Sequence, residues 1–307
     1  MLIVGIDIGG TKIMAGLIRL PSDASGKAVI LKKVEQPTAK KRESAITQIT
    51  SIAAELIQNE KSIKGMGVAA PGPMDAKRGV LLRAPNLSGW ENIRLKSLLE
   101  KKFRVPVALE NDANAAALAE ALWGAGKGKR HVLFATISTG IGTGLVIDGR
   151  LYRGATGFAL EGGHLTIDRN GASCNCGQKG CIEAYASGPA IAKRARKVLV
   201  NAPPALSSLY IEKEAKKGNA ACKKLIEDAA FDLGLWLGNM VNLFDPDVIV
   251  LGGGVTSFGK HFFDVIKQTL PKFSVNPKAN EIPVIPAKLG RDMGIFGAAA
   301  IFWESRQ

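Results

Sequence analysis

The stretch that decides the fold is Leu2–Leu20, LIVGIDIGGTKIMAGLIRL. A strand-like apolar run reaches Asp7, a Gly-Gly-Thr turn follows at residues 9–11, and a second apolar run begins at Ile13. Two such runs around a glycine turn predict a β-hairpin with an acidic residue at its bend. The opening run is short and has no basic leader, so we expect no signal peptide, no membrane anchor and a cytoplasmic protein.

The same plan recurs in the second half of the chain. The run Leu133–Ile137 leads into the glycine-rich stretch Ser138–Gly144 and then into Leu145–Ile147. Strands alternating with helical stretches elsewhere indicate an α/β protein, and the repeat predicts two related lobes whose hairpins point at a shared cleft. We expect a discontinuous small lobe of residues 1–112 plus 291–307, because the apolar terminal helix should return to it. The larger lobe would comprise residues 113–290.

Composition narrows the class of protein. The chain has 307 residues, of which 46% are hydrophobic and 22% charged, as expected for a globular protein with two domains. The formal net charge of +14 could indicate a nucleic-acid surface, but the basic residues fall in scattered short groups. A solvated surface that attracts an anionic nucleotide explains them better, so we expect neither nucleic acid nor membrane as a partner.

The glycine turns predict an ATP site. Glycines let backbone amides approach phosphate oxygens, a threonine hydroxyl adds a donor, and Asp7 would face Mg²⁺, often through water. One such turn could equally be a plain hairpin, but a third glycine turn follows the buried strand Val248–Leu251 and offers an adenosine site. The predicted nucleotide ligands are Asp7, Gly9, Gly10, Thr11, Lys12, Thr139, Gly140, Gly142, Thr143, Gly253 and Gly254.

Two other nucleotide motifs are less favoured. Gly254–Lys260 has the spacing of a Walker-type loop, but His261 stands where Ser or Thr would bind magnesium. The opening strand is not followed by the GxGxxG turn of dinucleotide-binding enzymes.

Asp112 is the candidate general base. It follows a predicted strand at the start of the alanine-rich helix Ala113–Trp123, where it could also serve only as the N-cap. Phosphoryl transfer needs a residue that orients a hydroxyl and accepts its proton, and an Asp next to Asn111 can do this for a sugar. Other polar residues that could converge there are Asn86, Glu161 and Glu183.

One histidine and three cysteines have the spacing of a metal site. His164 is followed by Cys174, Cys176 and Cys181 in a glycine-containing loop. Such a Cys3His set predicts a structural Zn²⁺ that fixes the loop aiming His164 and Glu183 at the sugar. Three unrelated buried cysteines are the alternative.

These motifs resemble the ROK family of sugar kinases and repressors over nearly the whole chain. The most specific parts are Asp7–Lys12, Glu110–Ala115 and the CxCGxxGCxE arrangement within His164–Glu183. The resemblance implies an actin-like, ribonuclease H-like duplicated two-lobe ATPase fold and a homodimer or homotetramer. It also implies Asp112 as base, zinc ligation by the four residues above, and sugar binding by Asn111, Glu161, His164 and Glu183. With Asn86 and Asp112, which the residue pattern itself suggests, these are the predicted sugar ligands.

Within that family the stretches around Asn86 and Tyr152 look most like glucokinases. The expected reaction is ATP-dependent phosphorylation of a hexose at its 6-hydroxyl. Glucose is the expected substrate, and N-acetylglucosamine, N-acetylmannosamine, mannose and fructose are the alternatives. A DNA-binding regulator is less favoured because the first phosphate turn begins at residue 7. Three residues depart from the family pattern: Thr143 and Leu160 stand where glycines are usual, and Gly162 replaces an apolar residue.

Overall fold

The computed structural model describes residues 1–23, 26–60, 62–83, 89–199 and 202–307. The chain divides into two units. The first comprises Met1–Gly128, Gly144–Ala159 and Lys288–Gln307. The second comprises Lys129–Thr143 and Leu160–Ala287.

The first unit is built on a five-stranded sheet with strand order β3-β2-β1-β4-β8. Its strands are β1 (Leu2–Ile8), β2 (Lys12–Arg19), β3 (Val29–Pro37), β4 (Ile63–Ala70) and β8 (Val107–Asn111). The predicted hairpin is present, with β1 antiparallel to β2. Strands β1, β4 and β8 are parallel, so their carboxyl ends meet at one edge of the sheet. That edge carries Asp7 and Asn111.

Among the described residues, a small antiparallel sheet and four α-helices complete this unit. The sheet contains β5 (Met74–Asp75), β6 (Val80–Arg83) and β7 (Glu91–Ile93), and the helices are α1 (Arg42–Ile57), α2 (Leu95–Phe103), α3 (Asp112–Trp123) and α9 (Met293–Glu304). The terminal helix α9 lies directly on the large sheet, since a Cβ added to Gly67 of β4 would stand 1.7 Å from the Ala298 carbonyl oxygen. Only glycine permits that approach.

The sheet of the second half repeats this topology. Its strand order is β11-β10-β9-β12-β13, formed by β9 (Val132–Ile137), β10 (Ile141–Ile147), β11 (Arg150–Leu151), β12 (Val248–Gly252) and β13 (Val284–Pro286). Strands β9, β12 and β13 are parallel, as β1, β4 and β8 are. The predicted duplication is thus confirmed strand by strand. In the described part of the second unit, the α-helices are α4 (Glu183–Ala186), α5 (Gly188–Val198), α6 (Ser208–Lys216), α7 (Ala220–Phe244) and α8 (Lys260–Thr269).

The unit boundaries differ from the lobe boundaries expected from the sequence. Helix α3 and residues 144–159 belong to the first unit, whereas the sequence assigned residues 113–290 to the larger lobe. Helix α3 belongs there because it packs on α9, where a Cβ on Gly297 would lie 3.1 Å from the Ala115 Cβ. An alanine-rich helix presents small side chains on all sides, so its sequence does not indicate which sheet it covers.

Candidate active site and metal centre

The turn between β1 and β2 is held by Thr38, which follows β3. The Gly9 amide donates to the Lys12 carbonyl (2.9 Å), and the Thr38 hydroxyl donates to the Gly9 carbonyl (2.6 Å). The Thr38 amide donates to the Thr11 carbonyl (3.0 Å). These bonds fix the turn and leave Gly10 and Thr11 exposed. The role of Thr38 was missed from the sequence because the contact joins residues far apart in the chain.

Lys12, a predicted phosphate ligand, lies beside Glu35 of β3. Its ammonium is 3.1 Å from a Glu35 carboxylate oxygen. Both side chains are more than one-third exposed, so this ion pair contributes little free energy and can be exchanged for a phosphate.

Asp7 lies at the carboxyl end of β1, facing the start of α9. A Cβ on Gly294 would stand 1.9 Å from a carboxylate oxygen of Asp7, so only glycine fits at this point of the helix. Burial and the negative charge of Asp112 raise the pKa of Asp7 to about 7, while Lys12 opposes the shift. Two carboxyl groups that repel each other in this way favour a cation between them.

Asn111, rather than Asp112, is the N-cap of α3. The Asn111 Oδ1 accepts hydrogen bonds from the amides of Ala113 (2.9 Å) and Asn114 (3.2 Å). Asp112 is the first residue of the helix and its side chain is exposed. Since Asn and Asp cap about equally well, the sequence could not decide between them. The N-cap explanation for Asp112 is therefore wrong, and its carboxylate stands at a helix N-terminus that favours negative charge.

A partly buried ion-pair network lies directly behind this helix start. The carboxylate of Glu110, 2% exposed, accepts from the Asn111 amide (2.9 Å) and from the Asn114 side-chain amide (3.2 Å). Arg153 donates to Glu110 (2.6 Å) and to Glu304 of α9 (2.5 Å). The β8–α3 junction is thus tied to α9 through one guanidinium.

In the second unit, Glu183 lies against the turn between β9 and β10. The Ile141 amide donates to Glu183 Oε2 (2.9 Å), and a Cβ on Gly140 would lie 2.6 Å from the same oxygen. Thr139 is exposed and Gly142 is half-buried in β10. A predicted sugar ligand and a predicted phosphate turn are therefore in direct contact.

Thr143 does not face this turn. Its side chain is 3% exposed, and its hydroxyl donates to the Leu160 carbonyl (2.5 Å) and accepts from the Gly162 amide (3.0 Å). The prediction that Thr143 binds phosphate is therefore wrong: the hydroxyl is buried and used within the protein. The sequence could not reveal this because both partners lie more than fifteen residues further along the chain.

The third glycine turn follows β12. Gly253 has φ +89°, and a Cβ there would stand 2.3 Å from the Ile137 carbonyl oxygen of β9, so the position requires glycine. The Gly253 carbonyl accepts from the amide and the hydroxyl of Thr256. Around Gly254 the space within 4 Å of a Cβ is open. The turn thus offers a fixed backbone with room for a ligand.

The predicted metal ligands come together as one cluster. The donor atoms of His164, Cys174, Cys176 and Cys181 all lie within 4.8 Å of one another. Cys174 Sγ is 3.6 Å from His164 Nδ1, and Cys176 Sγ is 3.6 Å from Cys181 Sγ. Zinc bonds of about 2.3 Å to sulfur and about 2.05 Å to nitrogen imply tetrahedral edges of about 3.6 to 3.8 Å. The donor set and its spacing fit Zn²⁺, with Nδ1 as the histidine ligand. Cys222 is buried separately, outside the cluster.

The segment that carries the four metal ligands, residues 164–181, is called the metal loop here. It is joined to the neighbouring predicted sugar ligands. The His164 amide donates to the Glu161 carbonyl (3.0 Å), and Cys181 stands two residues before Glu183. A cavity of about 370 Å³ is lined by Thr139, Cys174, Glu183 and the basic residues Lys193, Arg194 and Lys197 of α5. The sequence did not single out these three basic residues as a site. Asn86 lies outside the described residues.

Comparison with known proteins places the chain in a family. A model of the ROK family matches residues 3–305. A glucokinase of Thermotoga maritima is 31% identical over 98% of this chain and 97% of its own length, and a xylose repressor of Bacillus subtilis is 31% identical over 97% of this chain and 76% of its own.

Solved structures agree with this match. A ROK hexokinase from Thermus thermophilus has a TM-score of 0.86 and 35% identity, covering 100% of this chain and 99% of that one. A ROK family glucokinase from Streptomyces griseus, crystallised with glucose and AMPPNP, has a TM-score of 0.81 and 32% identity, covering 97% of this chain and 98% of that one. The duplicated sheets, the Cys3His cluster and these matches agree, and the chain belongs to the ROK family.

Proposed function

We propose that this protein transfers the γ-phosphoryl group of ATP to the 6-hydroxyl of a hexose, with glucose as the preferred substrate. The observation that carries the proposal is the start of α3, where Asn111 caps the helix and Asp112 presents an exposed carboxylate. The names of the glucokinase relative and of the glucokinase structure with glucose and AMPPNP support the substrate pair.

Asp112 would act as the general base. Its carboxylate accepts the proton of the 6-hydroxyl as the hydroxyl oxygen attacks the γ-phosphorus and the bond to the β-phosphate oxygen breaks. The products are ADP and the sugar 6-phosphate. Asp112 is held in place by the Asn111 cap and, behind it, by Glu110 and Arg153.

The glycine turns would hold the nucleotide through backbone amides. The turn at residues 9–11 is fixed by Thr38, and the turn at Ser138–Gly140 is fixed by Glu183. Mg²⁺ brought by ATP would neutralise phosphate charge, and Asp7 would hold it. The carboxyl of Asp7 must lose its proton to do so, and a nearby dication favours that loss.

Glu161, His164 and Glu183 would bind the sugar hydroxyls, together with Asn111. One oxygen of Glu183 already accepts from the Ile141 amide, so we assign the other oxygen to the sugar. With Nδ1 of His164 directed at the metal cluster, Nε2 is the nitrogen that donates to a hydroxyl. The four metal ligands would hold a structural Zn²⁺ that fixes this imidazole and the loop leading to Glu183.

A coupled assay of ADP release over a panel of sugars tests the function. Glucose should give the highest kcat/KM, above mannose, fructose, N-acetylglucosamine and N-acetylmannosamine. A higher value for an N-acetylated hexosamine would replace the named substrate but leave the kinase. No ADP release with any hexose would overturn the proposed activity.

A sugar-responsive regulator is the second candidate. It is favoured by the xylose repressor among the relatives and by the net charge of +14. A gel-shift assay at physiological salt tests it, because non-specific electrostatic binding to DNA weakens steeply as salt rises. We expect no shifted band.

We further propose that the enzyme works in the cytoplasm as a homodimer or homotetramer. The motif resemblance to ROK kinases supports the assembly. Within the described residues, no helix has the length and apolar character needed to span a membrane. Light scattering coupled to size-exclusion chromatography should give two or four times the 32.4 kDa chain mass.

A further inference from the structure

Thr143 contacts the backbone on both sides of Glu161. Its buried hydroxyl donates to the carbonyl of Leu160 (2.5 Å) and accepts from the amide of Gly162 (3.0 Å). Glu161 itself is exposed. One hydroxyl thus bridges the two peptide groups next to a predicted sugar ligand.

Trp236 holds the same segment from another side. This α7 residue is fully buried, and its indole Nε1 donates to the Gly162 carbonyl (3.0 Å). A Cβ on Gly162 would stand 2.7 Å from the Thr143 hydroxyl oxygen and 3.2 Å from the Trp236 ring. Only glycine at this position lets both hydrogen bonds form.

Leu160 shows that the segment is held in an unusual conformation. Its φ is +64°, in the left-handed region that leucine adopts only when its surroundings impose it. The bond from Thr143 to the Leu160 carbonyl is one such constraint. On the C-terminal side of this segment, the Glu161 carbonyl accepts a hydrogen bond from the amide of His164, a predicted metal ligand. Both ends of the segment are therefore fixed.

We propose that Thr143 is a positioning residue for Glu161, with Trp236 as its partner, so that Glu161 meets the sugar from a set direction. This inference rests on the proposed sugar kinase function. It also explains why Thr143 and Gly162 form one packed cluster with the Leu160 carbonyl. A glycine at 143 would have no hydroxyl, an apolar residue at 162 would collide with that hydroxyl, and the carbonyl of residue 160 is its acceptor.

Thr143→Val tests the role, because it removes the hydroxyl and keeps the shape of the side chain. A net hydrogen bond is worth about 0.5 to 1.5 kcal/mol, so we expect the KM for glucose to rise about threefold to tenfold. The kcat and the KM for ATP should stay within about twofold of wild type, since a binding contact equal in ground and transition states changes KM alone. Thr143→Ser keeps the hydroxyl and should restore the KM.

Two further variants distinguish positioning from a loss of stability. If Thr143 acts through Glu161, Thr143→Val should add little to the KM of a Glu161→Gln enzyme, whereas a purely structural effect would persist in that background. Should Thr143→Val not fold, Trp236→Phe removes the indole donor to the same segment and should give the same rise in KM. Wild-type KM values in Thr143→Val or Trp236→Phe, in an enzyme that phosphorylates glucose, would overturn the inference. A wild-type protein inactive on all hexoses would instead overturn the proposed function.

Discussion

At the scale of single residues, the structure assigns the N-cap of α3 to Asn111 and leaves Asp112 as the candidate base. The sequence alone could not separate these two roles. Because Asn111 caps α3, Asp112→Asn leaves the cap in place and removes the charged proton acceptor. We expect turnover to fall by roughly two or more orders of magnitude, while the melting temperature changes little, because the lost helix-dipole stabilisation and the relieved repulsion of Asp7 oppose each other. Asn111→Ala should instead cost about 1 kcal/mol of stability. Steady-state kinetics and thermal unfolding of both variants provide the test, and an active Asp112→Asn enzyme would rule out the base.

Asp7 should make stability depend on pH in the absence of magnesium and nucleotide. Burial and the Asp112 charge raise its pKa from 3.8 to about 7, against the opposing effect of Lys12. The folded state therefore holds this proton more tightly than the unfolded state does. The contribution of the Asp7 carboxyl to the free energy of unfolding therefore falls as pH rises from about 4 to about 7, and then levels off.

Asp7→Asn removes this titration. In urea unfolding the variant should show a smaller loss of stability between pH 5 and pH 8 than wild type, and should be the more stable protein at pH 8. Identical pH profiles for the two proteins would contradict the raised pKa.

At the scale of elements, Arg153 connects the start of α3 to α9. Arg153→Met would leave Glu110 buried without its cation, which should cost up to about 3 kcal/mol. Since Asn111 and Asp112 follow Glu110, kcat should fall as well. Adding Glu110→Gln removes the unpaired charge and should recover part of the stability. Urea unfolding of the single and double variants measures both effects, and additive losses would show that the two residues act independently.

The metal loop is the second element with a testable role. We expect about one zinc per chain by elemental analysis. Cys176→Ser should lower zinc content, stability and sugar affinity together, because the same loop carries His164 and leads to Glu183. Cys222→Ala is the matched control: it alters a buried cysteine outside the cluster and should keep the zinc. A metal-free protein with full stability and activity would exclude a structural metal.

Patterns that repeat within a few residues were predictable, and contacts between distant segments were not. The β1–β2 hairpin and α3 were predicted to within a few residues, since each has a local pattern. Strand β3 was missed because VILKKVEQP has no buried face, as befits an edge strand. The metal cluster could be predicted from ligand spacing. Thr38 and Thr143 act through non-local bonds, and nothing in their local sequence marks them.

At the scale of the whole molecule, the duplicated sheet topology places a glycine turn after the first strand of each sheet. The same strand order thus occurs in both sheets, while the residues proposed for catalysis and sugar binding differ between the two halves. Asp7 and Asp112 belong to the first unit, and Glu161, His164 and Glu183 belong to the second. The duplication accounts for the two proposed phosphate-binding turns, whereas three of the residues proposed to bind the sugar lie in the second unit.

The position of α9 also has a consequence for synthesis on the ribosome. Helix α9 covers β1 and β4, yet it is made some 220 residues after β4 ends. Domains usually fold as units in the order in which they emerge. Here the sheet made first keeps an apolar face uncovered until α9 has been synthesised. Growing chains that stall before residue 293 should therefore be the ones most prone to aggregate and to need chaperones.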